Sequence, residues 1–288
     1  MGLADLPPLR ESLEAHGLFA KKAFGQHFLL DLNITRKIAR LAAPLDGVTV
    51  IEVGPGPGGL TRALLEADAR VIAVEKDARF LPLLEELAAA AEGRLTVVEA
   101  DALAVDEDAL TGGAPFKVIS NLPYNVGTPL LLKWLTRPEP PAQMTLMFQK
   151  EVAERIVAKV GEDAYGRLAV ISQAVCEAAL VMDLPARAFT PPPKVASAVV
   201  RLAPKSERPE ATLLAALERI TAAAFGQRRK MLRSSLKVLG GEALCEAAGI
   251  AADRRAETVP VSGFLDLATA LINRAAHPRE GGDERNIG

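Results

Sequence analysis

The stretch "VTVIEVGPGPGGLTRALLEA", residues 48–67, decides how the rest of the chain reads. Its first seven residues suit a buried strand, its last ten have helical spacing, and the joint between them carries glycines at 54, 56, 58 and 59. A strand that passes into a helix in this way opens a β–α unit, because parallel strands need a crossover connection. Positions without a side chain let the backbone turn tightly and let a ligand come close to it.

Outward from this stretch the same alternation continues. Strand candidates are "VTVIEVG" (48–54), "RVIAVEK" (70–76), "LTVVEAD" (95–101), "FKVISNL" (116–122) and "MTLMFQ" (144–149). Between them "GGLTRALLEA", "ARFLPLLEELAAAAE" and "PLLLKWL" have helical spacing, so the expectation is an α/β fold with a mostly parallel sheet covered on both faces. Two later runs, "AVCEAALVMDLP" (174–185) and "SAVVRLAP" (197–204), are joined by "ARAFTPPPKVA" with no room for a crossover helix. They should pair antiparallel at one edge. Beyond Pro204 the pattern is helical throughout, up to a polar, glycine-rich tail. The expected domains are 1–204 with an N-terminal extension 1–30, a helical domain 205–275, and a disordered tail 276–288.

Composition narrows the classes. With 288 residues, 49% of them hydrophobic, the chain can bury one large core and a small one. No apolar run reaches the roughly 18 residues that span a bilayer. Cys176 and Cys245 lie far apart in apolar runs and read as buried free thiols, which makes the cytoplasm the default location and no membrane the expectation. The net charge of -2 divides unevenly. Residues 1–185 hold 18 Lys/Arg against 25 Asp/Glu, while 186–274 hold 14 against 8. The densest basic cluster is "GQRRKMLRSSLK" (226–237), which suits an anionic partner such as nucleic acid. It equally suits an amphipathic helix with Met231, Leu232, Leu236 and Leu239 turned to a core.

Read as G-x-G-x-x-G, Gly54, Gly56 and Gly59 fit a dinucleotide loop, and they fit the glycine loop of S-adenosylmethionine enzymes equally well. Glu75 ends the next strand, where a carboxylate can accept ribose hydroxyls, and Asp101 ends the third, where one can accept an adenine amine. A dehydrogenase needs a hydride-handling acid or base as well. None of His16, His27 and His277 falls at the C-terminal end of a strand, and no Ser…Tyr-x-x-x-Lys set is present. The fourth strand ends in "NLPYN" (121–125). For a methyl acceptor that is the exocyclic N6 of adenine, the Asn121 side-chain oxygen and the Leu122 carbonyl can take the two amine protons. Pro123 holds that carbonyl in place, and Tyr124 offers a face on which the extruded base stacks.

Together "KKAFGQHFLLD" (21–31), "EVGPGPGGLT" (52–61), "VEKD" (74–77), "EADAL" (99–103), "NLPYN", "FQKEVAERIVA" (148–158), "FTPPPKVASAVV" (189–200) and "FGQRRKMLRSSL" (225–236) resemble the ribosomal RNA adenine dimethyltransferases. The nearest resemblance is to the bacterial branch that acts on two adjacent adenosines near the 3′ end of small-subunit (16S) rRNA. The resemblance implies a Rossmann-like class I S-adenosylmethionine-dependent methyltransferase with a seven-stranded, mostly parallel sheet, one antiparallel edge strand and a small C-terminal α-helical domain. It implies S-adenosylmethionine as cofactor, S-adenosylhomocysteine as product, no metal, the small ribosomal subunit as partner, and a monomer. His27 and Leu29 would cover the cofactor, Gly54 and Gly56 would lie under its methionine part, Glu75 and Lys76 would hold the ribose side, and Asp101 and Ala102 the adenine. Asn121 would serve cofactor and substrate together, and Phe189 would stack on the target base opposite Tyr124. Many members carry Asn where this chain has His27. Lys194, Arg228, Arg229, Lys230, Arg233 and Lys237 would meet RNA phosphates. The rivals are a large-subunit adenine methyltransferase, a ribosome-assembly or transcription factor of the same fold without the chemistry, and an NAD dehydrogenase.

Overall fold

The computed structural model describes residues 2–18, 27–227 and 229–276. The described residues form two compact units, one drawn from 2–157 with 176–206 and one from 158–175 with 207–276.

The first unit is built on a seven-stranded sheet. In chain order it contains α1 (Leu9–Ala15), α2 (Leu32–Leu41), β1 (Thr49–Val53), α3 (Gly59–Glu66), β2 (Arg70–Glu75), α4 (Leu81–Ala90), β3 (Leu95–Glu99) and α5 (Glu107–Thr111). β4 (Lys117–Asn121), α6 (Gly127–Leu135), β5 (Gln143–Gln149) and α7 (Lys150–Val157) follow, and β6 (Cys176–Leu184) and β7 (Ser197–Pro204) complete it. The strand order is β3-β2-β1-β4-β5-β7-β6. β3, β2, β1, β4 and β5 pair in parallel, and β7 runs antiparallel between β5 and β6. The two late strands therefore pair antiparallel at one edge, as their short connection requires. Successive residues of β1, β4 and β5 are buried, the mark of strands covered on both faces.

Parallel register sets Val53 beside Val74 and Glu75 beside Glu99, so β1, β2 and β3 end together. The chain leaves β1 toward β2 on one side and β4 lies on the other, so the order reverses between β1 and β4. That switch point is where open α/β sheets bind ligands.

The second unit holds α8 (Arg167–Val175), α9 (Ala211–Gly226), α10 (Leu232–Ser235), α11 (Gly241–Ala247) and α12 (Val261–Ala276). Phe225 of α9 stacks on Phe264 of α12 with ring centroids 5.4 Å apart, and the buried Tyr165 hydroxyl donates to the Val259 carbonyl at 3.0 Å. The sequence reading places residues 158–175 with the sheet, whereas α8 packs on α9 and α12. The apolar run across Val175 and Cys176 hides a helix-to-strand change that periodicity cannot mark. The basic cluster also differs from the single helix expected of it. Met231 is extended and bridges Arg255, so the helix starts at Leu232, and Gly240, at φ 121°, follows the last turn. Leu232 and Leu236 are buried and Met231 is exposed. Arg228 and the tail from 277 lie outside the described residues.

One buried charge network ties the loop after β3 to α6. The Glu107 carboxylate, 3% exposed, accepts from Trp134 Nε1 at 2.7 Å, and ion-pairs with Lys133 at 2.9 Å and Arg137 at 2.8 Å. Lys133 also donates to the Ala102 and Val105 carbonyls, which fixes the loop that carries Asp101. Removing one partner strands the others. Glu107→Ala should lower unfolding free energy by about 3 kcal/mol in urea titrations. A loss below about 0.5 kcal/mol would show that the network adds nothing.

Candidate active site

Two cavities open at the carboxyl ends of the parallel strands. The first, about 180 Å³, is lined by His27, Phe28 and Leu29, the loop from Gly54 to Pro57, Gly59 and Leu60 at the start of α3, Glu52, Glu75, Phe80, and Asn121 to Tyr124. The second, about 160 Å³, is lined by Lys76, Asp101, Ala102 and Leu103 with apolar Val53, Val74, Val126 and Leu130. Gly54, Glu75 and Pro123 line both, so the two form one groove with a carboxylate at its middle.

The glycine loop owes its course to close neighbours. Gly54 has φ 63°, and a Cβ there would come within 3.3 Å of the Pro123 ring. Gly59 opens α3, where a Cβ would stand 2.5 Å from the Leu29 carbonyl oxygen. The segment His27–Leu29 is thus laid directly over the start of α3. It is held on its other side by Phe28 and Thr190, whose backbones exchange hydrogen bonds of 3.0 and 2.9 Å. His27 Nδ1 donates to the Pro191 carbonyl at 2.8 Å, because a carbonyl only accepts.

Three acids sit along the groove in different states. Glu75 is 6% exposed and accepts from the Gly56 N–H at 3.1 Å and the Asp77 N–H at 2.8 Å. Burial raises its pKa, and those N–H donors oppose the rise. Asp101 is half-buried, accepts from Lys76 Nζ at 2.7 Å and the Leu103 N–H at 3.0 Å, and is held below its ordinary pKa chiefly by Lys76. Glu52 escaped the sequence reading, although a lone acid inside an apolar strand was a visible signal. It is 2% exposed, accepts from the Thr61 hydroxyl at 2.7 Å, and burial pushes its pKa up to about 8.

At the end of β4, Asn121 Nδ2 points to the His27 carbonyl at 3.4 Å, which leaves its amide oxygen as the acceptor toward the cavity. Tyr124 stands 5.8 Å from the His27 ring, and its hydroxyl meets Ser197 Oγ at 2.8 Å. Leu122, Pro123 and Tyr124 share the cavity with Gly54, Gly56 and Leu29, so the expected clamp and the expected cofactor loop come together. Phe189 does not join them. It is 2% exposed and packs in the core with Leu29, Leu184 and Val199, because the Phe28–Thr190 pairing draws its loop inward. Lys194 is exposed in the first unit, and Arg229, Lys230, Arg233 and Lys237 are exposed in the second. No cluster of three or more His, Cys, Asp or Glu that could hold a metal occurs among the described residues.

The groove fits S-adenosylmethionine by its donor set. The second cavity offers apolar walls and Asp101 for a purine, Glu75 at the junction can accept from vicinal hydroxyls, and the glycine loop leaves room for an amino-acid tail where a side chain would stand.

Glu52 gives the site a pH signature. Its folded pKa of about 8 exceeds the ordinary 4.5, so the native state keeps a proton that the unfolded chain releases. Stability therefore falls as pH rises across that window and levels above it. Glu52→Gln should flatten this slope in melts across that range and add up to a few kcal/mol at its upper end, at ~1.4 kcal/mol per pKa unit. An unchanged slope would place the titration elsewhere.

Comparison with known proteins accords with this groove. A family model described as ribosomal RNA adenine dimethylase matches residues 17–273. A ribosomal RNA small subunit methyltransferase A of Phenylobacterium zucineum (strain HLK1) is 70% identical over 278 residues, covering 96% of this chain and 97% of that protein. The crystal structure of a dimethyladenosine transferase from Plasmodium falciparum is similar at TM-score 0.71 and 26% identity, over 86% of this chain and 98% of that one. The 23S rRNA methyltransferase ErmE is similar at TM-score 0.66 and 27% identity, over 85% and 99%. With the family match extending over nearly all the described residues, the chain belongs to the ribosomal RNA adenine dimethylase family.

Proposed function

We propose that this enzyme dimethylates N6 of two adjacent adenosines near the 3′ end of small-subunit rRNA, with Asn121 and Leu122 as the amine clamp. The observation that carries the reading is the placement of Asn121 to Tyr124 in the same cavity as the glycine loop and Glu75. High identity to a small-subunit methyltransferase favours that target over large-subunit rRNA.

When bound, S-adenosylmethionine supplies an electrophilic methyl group on a sulfonium. Gly54 and Gly56 would keep the floor of its site open, Glu75 and Lys76 would hold the ribose, Asp101 and Ala102 the purine, and His27 and Leu29 would close the groove from the N-terminal side. The Asn121 amide oxygen and the Leu122 carbonyl accept the two N6 protons. That draws the amine toward tetrahedral geometry and turns its lone pair to the methyl group. Tyr124 carries the flipped base on its face. Phe189 supports the proline loop from the core. No strong general base is needed, since the proton leaves after the new bond has formed.

The first unit is the catalytic domain and the second the RNA-binding domain, in which Arg229, Lys230, Arg233 and Lys237, with Arg228 from outside the described residues, hold phosphates. Lys194 adds a contact from the proline loop. An rRNA substrate suits work in the cytoplasm, within assembly of the small subunit.

Methyl transfer from labelled S-adenosylmethionine to unmethylated small subunits tests the reading, with the rRNA digested to nucleosides. The native chain should yield N6,N6-dimethyladenosine, and Asn121→Ala should lower the rate by about 100-fold, the scale of losing one preorganised transition-state contact. Wild-type rates in Asn121→Ala would overturn the clamp. Arg229→Ala with Lys230→Ala should weaken RNA binding, reduce the slope of log affinity against log salt by about 1–2, and leave the thermal shift with S-adenosylhomocysteine unchanged. Equal loss of RNA and cofactor binding would remove that assignment.

A further inference from the structure

Ser197 has no part in the scheme above, yet its hydroxyl holds the side chain on which the base is to lie. Ser197 begins β7, paired with Gln149 of β5 on one side and Leu184 of β6 on the other, and none of its surface is exposed. Its Oγ lies 2.8 Å from the Tyr124 hydroxyl. Burial raises the Tyr124 pKa and the bond to Ser197 opposes the rise, so the phenol stays neutral and either hydroxyl can donate to the other. A hydroxyl sealed between two strands needs a partner, and Tyr124 is the one it has in hand. The tyrosine is thereby fixed at both ends. Its backbone follows Pro123, whose ring abuts Gly54, and its tip is tied to the sheet. A ring held at both ends cannot swing out of the cavity, so a base stacked upon it keeps its place against the clamp.

This matters unequally for two successive methyl transfers. In each, the N6 lone pair forms the N–C bond as the C–S bond breaks with its electron pair remaining on sulfur, and one N6 proton passes to water. Before the first transfer N6 carries two protons, one for the Asn121 oxygen and one for the Leu122 carbonyl. Before the second it carries one proton and a methyl group, so one clamp acceptor has no donor to meet. Orientation of the amine then rests more heavily on stacking. Resting on the proposed clamp, we infer that Ser197 is a positioning residue that locks Tyr124 and sets the efficiency of the second methyl transfer relative to the first.

The experiment is a single-turnover time course on unmethylated small subunits, with N6-methyl- and N6,N6-dimethyladenosine separated after digestion. Ser197→Ala should leave the first transfer within about threefold of wild type and slow the second by about tenfold or more, so monomethyladenosine accumulates; misplacement of a reacting group by a fraction of an ångström costs on this scale. Tyr124→Phe removes the same hydrogen bond without touching the sheet and should raise the ratio of monomethyl to dimethyl product in the same direction, whatever its effect on the overall rate. Combining the two should add nothing further, as expected for two halves of one interaction. Ser197→Thr keeps the hydroxyl and should restore the wild-type ratio. If Ser197→Ala does not fold, Tyr124→Phe decides the matter alone. Equal slowing of both transfers in Tyr124→Phe, or an unchanged product ratio, would overturn the role assigned to Ser197. Failure of the wild-type chain to make any methyladenosine would instead overturn the proposed function, and the inference with it.

Discussion

Val53 of β1 lies beside Val74 of β2, and Glu75 beside Glu99 of β3; this level ending of parallel strands is the constraint on which the site depends. It brings the Gly56 N–H within reach of the Glu75 carboxylate and sets the Pro123 ring against Gly54. A slip of one residue in any of these pairs would turn every side chain of that strand to the opposite face. The acids would then lose the groove, and the apolar residues between them would lose the core. The site is therefore a consequence of sheet register before it is a property of any loop.

The groove stores polarity where the core would otherwise be dry. Glu52 and Glu75 lie almost wholly buried within one cavity, and each is met by a donor from the glycine loop or the helix that follows it. Backbone N–H groups hold Glu75 in place as an acceptor, while Glu52 rests protonated near neutral pH beside Thr61. Neither arrangement favours stability, and both supply the preorganised polar surface that recognition of a polar ligand requires. Over this surface runs the segment His27–Leu29, tied by backbone pairing to the loop after Phe189, so that one wall is made by residues more than a hundred positions apart.

Much of this was legible in residues read in order. The glycine joint after "VTVIEV", acids one strand apart at 75 and 101, and Asn-Leu-Pro-Tyr after the fourth strand are local patterns, each carried by a few neighbouring side chains whose chemistry does not depend on the remainder. The seven strands were visible for the same reason, since apolar runs bounded by turn residues declare themselves. Less legible was α8, because a buried helix that passes directly into a strand presents one unbroken apolar run. Glu52 was overlooked because its strand reads as apolar, and its meaning appears only when burial and Thr61 are set beside it.

Residues distant in the chain were beyond such reading. Phe189, expected beside Tyr124, is drawn into the core by a bridge between Phe28 and Thr190, and Ser197 reaches Tyr124 only because β7 is inserted between β5 and β6. The sequence by itself determined which chemical groups are present, which segments become strands and helices, and which strand ends carry them, since these follow from short-range pattern and composition. Only the tertiary structure decided which groups meet, how deeply each acid is buried, and which aromatic faces the cavity, because these depend on long-range pairing and on solvent exclusion that no local stretch encodes.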